Sequence, residues 1–144
     1  DPSTFDTVSY DAVVTTYNDT DISFSPNVIF GSTLTYSPIK NANIALLSKY
    51  VGQQYLDNTS SDSKSMDGYF VNNLNVSYRI KPTWIKEIAF NVLVNNVFNN
   101  KYVSNGYTYS YFYRPENSND APITENFYYP QATTNFLAGV TLKF

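Results

Sequence analysis

The chain has 144 residues, a formal net charge of −3, and neither cysteine nor histidine. These two absences exclude disulfides, most zinc chemistry, and the Ser-His and Cys-His pairs of hydrolases. The nine basic residues form no stripe, so nucleic acid is not expected as a partner.

The composition favours β-structure throughout the chain. Tyr (14) and Phe (10) supply most of the aromatic content, whereas helix formers such as Glu are scarce. No run approaches the roughly 20 apolar residues of a membrane helix. Strands, however, can cross a membrane with only every second side chain apolar. From the composition we predict an all-β chain.

Residues 1–27 form a polar segment with room for one short strand at 9–16. From residue 28 onward, apolar and polar side chains alternate in segments at 28–37, 43–56, 70–80, 87–97 and 136–144, with Gly52 as a candidate bulge. Leu137 is the exception on the polar side of the last segment. The apolar members are Val28, Phe30, Leu34, Tyr36, Ile44, Leu46, Tyr50, Phe70, Leu74, Val76, Tyr78, Ile80, Ile88, Phe90, Val92, Val94, Phe136, Ala138, Val140, Leu142 and Phe144.

The lengths of the segments and of their connections indicate an outer-membrane barrel. Tilted membrane strands need about ten residues, whereas strands of soluble proteins more often have five or six. The connections at 38–42 and 81–86 are short, and those at 57–68 and 98–132 are long, which matches periplasmic turns and extracellular loops. We therefore predict membrane contact for Phe90, Val92, Val94, Phe136, Val140, Leu142 and Phe144. Trp84 is either an interfacial anchor or a residue packed under its turn.

A tyrosine-rich run inside the predicted 98–132 loop contains the candidate ligand-binding residues. These are Tyr107, Tyr109, Tyr111, Tyr113 and Arg114. Aromatic side chains on one face of an extended loop can stack on sugars, aromatic chelates or peptide side chains. The alternatives are an aromatic girdle at the membrane interface, or a hairpin that packs on itself.

Acidic residues do not form a recognisable catalytic or metal site. Asp57, Asp62 and Asp67 lack the spacing and the central glycine of an EF-hand loop, so we interpret them as a solvated acidic loop. Among the three glutamates, Glu87 lies beside a turn and the other two, Glu116 and Glu125, in the long loop. We expect no enzymatic activity, no metal and no cofactor.

Several short motifs resemble the C-terminal end of TonB-dependent receptors, particularly those of the Bacteroidetes type. Residues 91–102, NVLVNNVFNNKY, resemble the strand-to-loop signature v-x-N-N-l-f-x-x-k-Y. Residues 50–58 are similar to the family's YvG..YlDN strand end. Further matches occur at Ser25-Pro26, Gly68-Tyr69-Phe70, Tyr129-Pro130-Gln131-Ala132 and Leu142-Lys143-Phe144.

The resemblance implies a barrel of about 22 strands with an N-terminal plug, located in the bacterial outer membrane. Residues 28–144 would supply its last five strands, and residues 1–27 an extracellular loop region. Such a receptor imports a scarce nutrient, namely a siderophore, vitamin, glycan or peptide. The implied partners are the rest of the barrel and its plug, TonB through the missing N-terminal part, outer-membrane lipid, the assembly machinery through Phe144, and a surface lipoprotein.

Two other interpretations remain open from the sequence. Counting residues 7–16, 103–113 and 124–130 as strands gives eight, which suits a complete small outer-membrane barrel. A soluble, Tyr-rich β-sandwich that acts as a binding module is the third interpretation.

Overall fold

The computed structural model describes residues 14–111 and 122–144, which form nine strands and one 3-10 turn at Asp62–Lys64. The strands are β1 (Ile29–Tyr36), β2 (Ala42–Val51), β3 (Gln54–Tyr55), β4 (Ser65–Met66), β5 (Tyr69–Ile80), β6 (Glu87–Asn95), β7 (Val103–Tyr111), β8 (Ile123–Pro130) and β9 (Asn135–Lys143). All pairings are antiparallel, so the predicted all-β class is confirmed. None of the described residues belongs to a helix long and apolar enough to span a membrane.

The largest sheet has the strand order β1-β2-β5-β6-β9 and contains all five predicted segments. Each strand pairs with the next along this order. Within the described residues β1 and β9 each have a single partner, so the sheet is open and does not close into a barrel. The β3–β4 and β7–β8 pairs form two separate two-stranded sheets.

The register of this five-stranded sheet aligns the predicted apolar side chains in rows. One row runs through Leu34, Leu46, Leu74, Val94 and Phe136, across all five strands. Because side chains alternate between the two faces of a strand, every even-numbered position of these strands lies on the same face. We call this surface the apolar face.

The odd-numbered positions form the opposite surface, which we call the mixed face. All four charged residues of the five strands lie there: Lys49, Arg79, Glu87 and Lys143. Leu137 also lies there, as its sequence position indicated. The apolar face therefore contains no charge.

The described chain leaves most of the apolar face uncovered; the exception is the row of Ser32, Ser48 and Asn72 near the loop end, where Asn72 is only 3% exposed. Phe90 is 40% exposed, Val92 38%, Val140 60% and Leu142 52%. Val94 and Phe136 pair with each other on this face, and Phe144 follows the last residue of β9. Six of the seven residues predicted to contact lipid thus lie on the same face of the sheet, and Phe144, 81% exposed, lies just beyond the end of β9.

The connections differ in length at the two ends of the sheet. Residues 37–41 and 81–86 form short turns at one end, which we call the turn end. Residues 52–68 and 96–134 connect the strands at the other end, which we call the loop end. At the turn end, Ile85 is buried while Trp84 is 76% exposed.

Two predicted boundaries at the loop end differ from the structure. The strand predicted at 43–56 ends at Val51, because the chain leaves the sheet at Gly52. The Gly52 N–H donates to the Val28 carbonyl oxygen at 2.9 Å, and a β-carbon at Gly52 would lie 3.3 Å from that oxygen. The predicted 57–68 loop contains the 3-10 turn and β4.

The predicted long loop at 98–132 contains the β7–β8 hairpin. Residues 14–16 of the strand considered at 9–16 are not in a strand, and the remainder of it lies outside the described residues. A small core of Val51, Leu56, Met66 and Val71 is buried at the loop end.

Asn96 joins the elements that meet at the loop end. Its backbone N–H donates to Oδ1 of Asn73 at 2.9 Å. Its side-chain Nδ2 donates to the carbonyl oxygens of Asn100 and Ala132, its Oδ1 accepts from the Asn100 N–H, and its own carbonyl accepts from the Thr134 hydroxyl. Its φ of 50° lies in the left-handed region, which asparagine tolerates better than most residues. The structure thus gives the Asn-Asn signature at 95–96 a physical role.

We expect Asn96→Ala to lower the free energy of unfolding in detergent by about 1–3 kcal/mol, because the three hydrogen bonds that the buried Asn96 side chain forms with Asn100 and Ala132 are lost. Denaturant titration measures this change. Asn91→Ala, at an exposed position on the mixed face, is the control and should change it by less than about 0.5 kcal/mol. Equal effects of the two substitutions would contradict the structural role of Asn96.

Candidate functional site

The β7–β8 hairpin brings together three of the five residues that the sequence proposed for ligand contact. Tyr107, Tyr109 and Tyr111 alternate along β7 and lie on one face of the hairpin. Tyr113 and Arg114 lie outside the described residues.

The second strand completes this surface with residues that the sequence analysis did not propose. Tyr107 pairs with Phe127, Asn105 with Tyr129 and Tyr109 with Glu125. We call Tyr107, Tyr109, Tyr111, Phe127 and Tyr129 the aromatic face; all five are exposed. Phe127 and Tyr129 had a signal in the sequence: they occupy every second position along β8, on the same side as Ile123 and Glu125.

Four of the five rings of the aromatic face form a stacked series, and Tyr129 is tilted against Tyr107. The centroids of Tyr107 and Phe127 lie 4.9 Å apart with an interplanar angle of 10°. Phe127 and Tyr109 follow at 6.0 Å and 8°, and Tyr109 and Tyr111 at 6.0 Å and 27°. Such pairs hold one another in place, so the surface is preorganised for contact with a flat or apolar group.

Glu125 lies among these rings and accepts two phenolic hydrogen bonds. The hydroxyl of Tyr109 donates to Oε2 at 2.6 Å, and that of Tyr111 donates to Oε1 at 3.1 Å. The hydrogen bond to Glu125 is the main cause that raises the pKa of Tyr109 to about 12, and desolvation adds to it. The pKa of Tyr111 is also raised, again first by its hydrogen bond to Glu125.

The opposite face of the hairpin attaches it to the β3–β4 region. Nδ2 of Asn126 donates to the Ser63 carbonyl at 2.6 Å, and the Tyr128 hydroxyl donates to the Ser65 carbonyl at 3.1 Å. Gly106 permits this close approach: a β-carbon there would lie 2.6 Å from the backbone oxygen of Phe127 and 3.1 Å from Cδ2 of Leu56. The aromatic face is therefore directed away from the element that supports the hairpin.

The acidic loop beneath the hairpin is a structural element. Nζ of Lys64 lies 2.8 Å from Oδ2 of Asp57, and the Thr59 hydroxyl donates to its Oδ1 at 2.6 Å. Partial burial raises the pKa of Asp57, but the hydrogen bonds from Lys64 and Thr59 outweigh it and hold that pKa below its ordinary value. Across residues 14–111 and 122–144, no three His, Cys, Asp or Glu side chains are grouped as a metal site.

A cleft of about 460 Å³ adjoins the base of the hairpin. Its walls include Asp67, Lys101 and the rings of Tyr69 and Tyr102, which stack at 4.4 Å and 25°. The cleft lies within the size range of small-molecule sites. Only the folded chain reveals it, because its walls come from three separate parts of the sequence: residues 67–70, residues 100–103 and Pro130.

We expect Tyr109 to lose its proton near pH 12 instead of near pH 10, because its neutral form donates to Glu125. The stabilising contribution of this contact is complete below the unfolded-state pKa of about 10 and is lost as the pH rises through about 12. The phenolate absorbance of the protein, minus that of Tyr109→Phe, isolates the titration. Glu125→Gln should return the pKa toward 10, and Glu87→Gln should not; a Tyr109 that titrates normally would contradict the contact.

Comparison with known proteins assigns no family to the chain. No protein-family model, curated protein or solved structure matches the chain.

Proposed function

We propose that this chain is the C-terminal part of an outer-membrane receptor of the TonB-dependent type, in which its five-stranded sheet is one wall of the barrel. The observation that carries the proposal is the apolar face: in-register rows of uncharged, uncovered apolar side chains that extend over five strands. A sheet surface of this kind needs an apolar environment, and lipid hydrocarbon supplies one.

The mixed face suits the interior of such a barrel. Its charged and amide side chains can be hydrated in a lumen, whereas a charge on the lipid side costs several kcal/mol at mid-membrane. The separation of the four strand charges from the apolar face therefore supports lipid on one side and water on the other. The resemblance of residues 91–102 and 50–58 to TonB-dependent receptors adds independent support from sequence.

The difference between the two ends of the sheet supports one orientation. In this proposal the turn end faces the periplasm, with exposed Trp84 at the interface, and the loop end faces the outside. The β7–β8 hairpin would then lie at the cell surface, where a nutrient arrives. In this proposal the plug and the TonB contact belong to other parts of the receptor. The assembly machinery recognises Phe144.

The two other interpretations have less support. An eight-stranded barrel requires the hairpin strands to join the main sheet, but β7 and β8 pair with each other in a separate sheet. A soluble sandwich requires a second layer over the apolar face, and the described residues provide none. Import of a siderophore, vitamin, glycan or peptide by the complete receptor remains the function we propose.

The neighbouring positions Val92 and Asn91 provide a matched test of the lipid side. Val92 lies between Val76 and Ala138 on the apolar face, and Asn91 lies between Ser77 and Gly139 on the mixed face. We expect Val92→Arg to destabilise the protein in lipid vesicles by about 2–4 kcal/mol, because arginine would enter hydrocarbon. Asn91→Arg should have a much smaller effect.

Urea-induced unfolding in vesicles measures both variants. If the two substitutions destabilise the protein equally, or if only Asn91→Arg does so, the apolar face does not contact lipid.

A further inference from the structure

The surroundings of Glu125 suggest the kind of group that the aromatic face recognises. Among the described residues, Glu125 is the charged side chain of this face, and the single ion pair found in them joins Lys64 and Asp57 instead. Glu125 therefore forms no ion pair with a lysine or arginine within the described part of the chain. We propose that the aromatic face binds the guanidinium group of an arginine side chain in a peptide.

The hydrogen bonds of Glu125 leave it able to accept a two-pronged donor. Each carboxylate oxygen has about two acceptor sites. Tyr109 occupies one site on Oε2 and Tyr111 one on Oε1, so one site remains on each oxygen. A guanidinium group donates two parallel N–H bonds with this spacing, which favours arginine over a ligand with a single donor.

The rings around Glu125 complete the match to arginine. Tyr109 lies opposite the carboxylate, and Phe127 is its neighbour on the same face of β8. A guanidinium group is planar, weakly hydrated and stacks on aromatic rings, whereas the lysine ammonium is a compact and strongly hydrated charge. A neutral sugar could stack on the rings, but it would gain nothing from the charge of Glu125.

The inference rests on the proposed function, since it requires the hairpin to face the outside, where a peptide could reach it. It adds the chemical class of the bound group.

The test uses the full-length protein in detergent and two tripeptides blocked at both ends. One is Gly-Arg-Gly, and in the other citrulline replaces arginine, which keeps the shape and removes the charge. Isothermal titration should give an affinity at least about tenfold higher for the arginine peptide at low salt. The preference should decrease as the salt concentration rises.

Variants distinguish the site from general attraction to a negatively charged protein. Glu125→Gln should abolish the preference for arginine, and Phe127→Leu should weaken binding of both peptides. Glu87→Gln makes the same chemical change at the turn end and should leave the preference intact. The Tyr109 titration checks that each variant except Glu125→Gln keeps the phenol–carboxylate contact.

Three results would overturn the inference: equal affinity for the two peptides, no binding of either, or a preference that survives Glu125→Gln. Binding of a neutral oligosaccharide that is insensitive to Glu125→Gln would assign the aromatic face to sugars instead. Failure of these experiments while Val92→Arg still disrupts the protein in vesicles refutes the arginine site alone. If Val92→Arg has no effect, the proposed function fails first.

Discussion

The structure depends on one constraint: the apolar positions that alternate along each strand must lie beside the apolar positions of the next strand. Because side chains alternate, a slip of one residue in any of the four pairings of the main sheet would move a row of apolar side chains to the mixed face. The observed registers keep Leu34, Leu46 and Leu74 together and keep Lys49, Arg79 and Glu87 on the other side. This separation gives the sheet one uncharged face, and it is the physical basis for the proposal that the sheet lies in a membrane.

The loop end connects the main sheet to the hairpin that carries the proposed binding surface. Asn96 connects the end of β6 to β5 and to the segment that enters β9. These hydrogen bonds fix both ends of the long connection between β6 and β9. Within this connection, the β7–β8 hairpin is attached by Asn126 and Tyr128 to the β3–β4 region. The polar side of the hairpin is thus used for attachment, which leaves its aromatic side free. A rigid scaffold that positions an exposed loop surface is a common arrangement for recognition.

Sequence alternation was sufficient to predict the main sheet, since the strand predicted at 70–80 is Tyr69–Ile80 and the one predicted at 136–144 is Asn135–Lys143. It placed a candidate bulge at Gly52 but did not predict that the strand ends there, because the end depends on a contact with Val28, which is distant in sequence. The strands at 103–113 and 124–130 were counted only in the eight-strand interpretation, which placed them in one closed barrel, whereas in the structure they form a separate two-stranded sheet. The role of Glu125 follows only from its pairing with Tyr109, and cross-strand register is not encoded in either strand alone.

The most direct test of lipid contact is a scan of single cysteine residues along 88–95 of β6, each carrying a spin label, in the full-length protein in vesicles. These 144 residues contain no cysteine, so once any cysteine elsewhere in the protein is replaced, every label reports one position of this strand. If the apolar face contacts hydrocarbon, collisions with oxygen, which concentrates in lipid, should be frequent at the even-numbered positions and rare at the odd-numbered ones. Even-numbered positions that are inaccessible to oxygen, or that collide mainly with a water-soluble paramagnetic reagent, would contradict the membrane assignment.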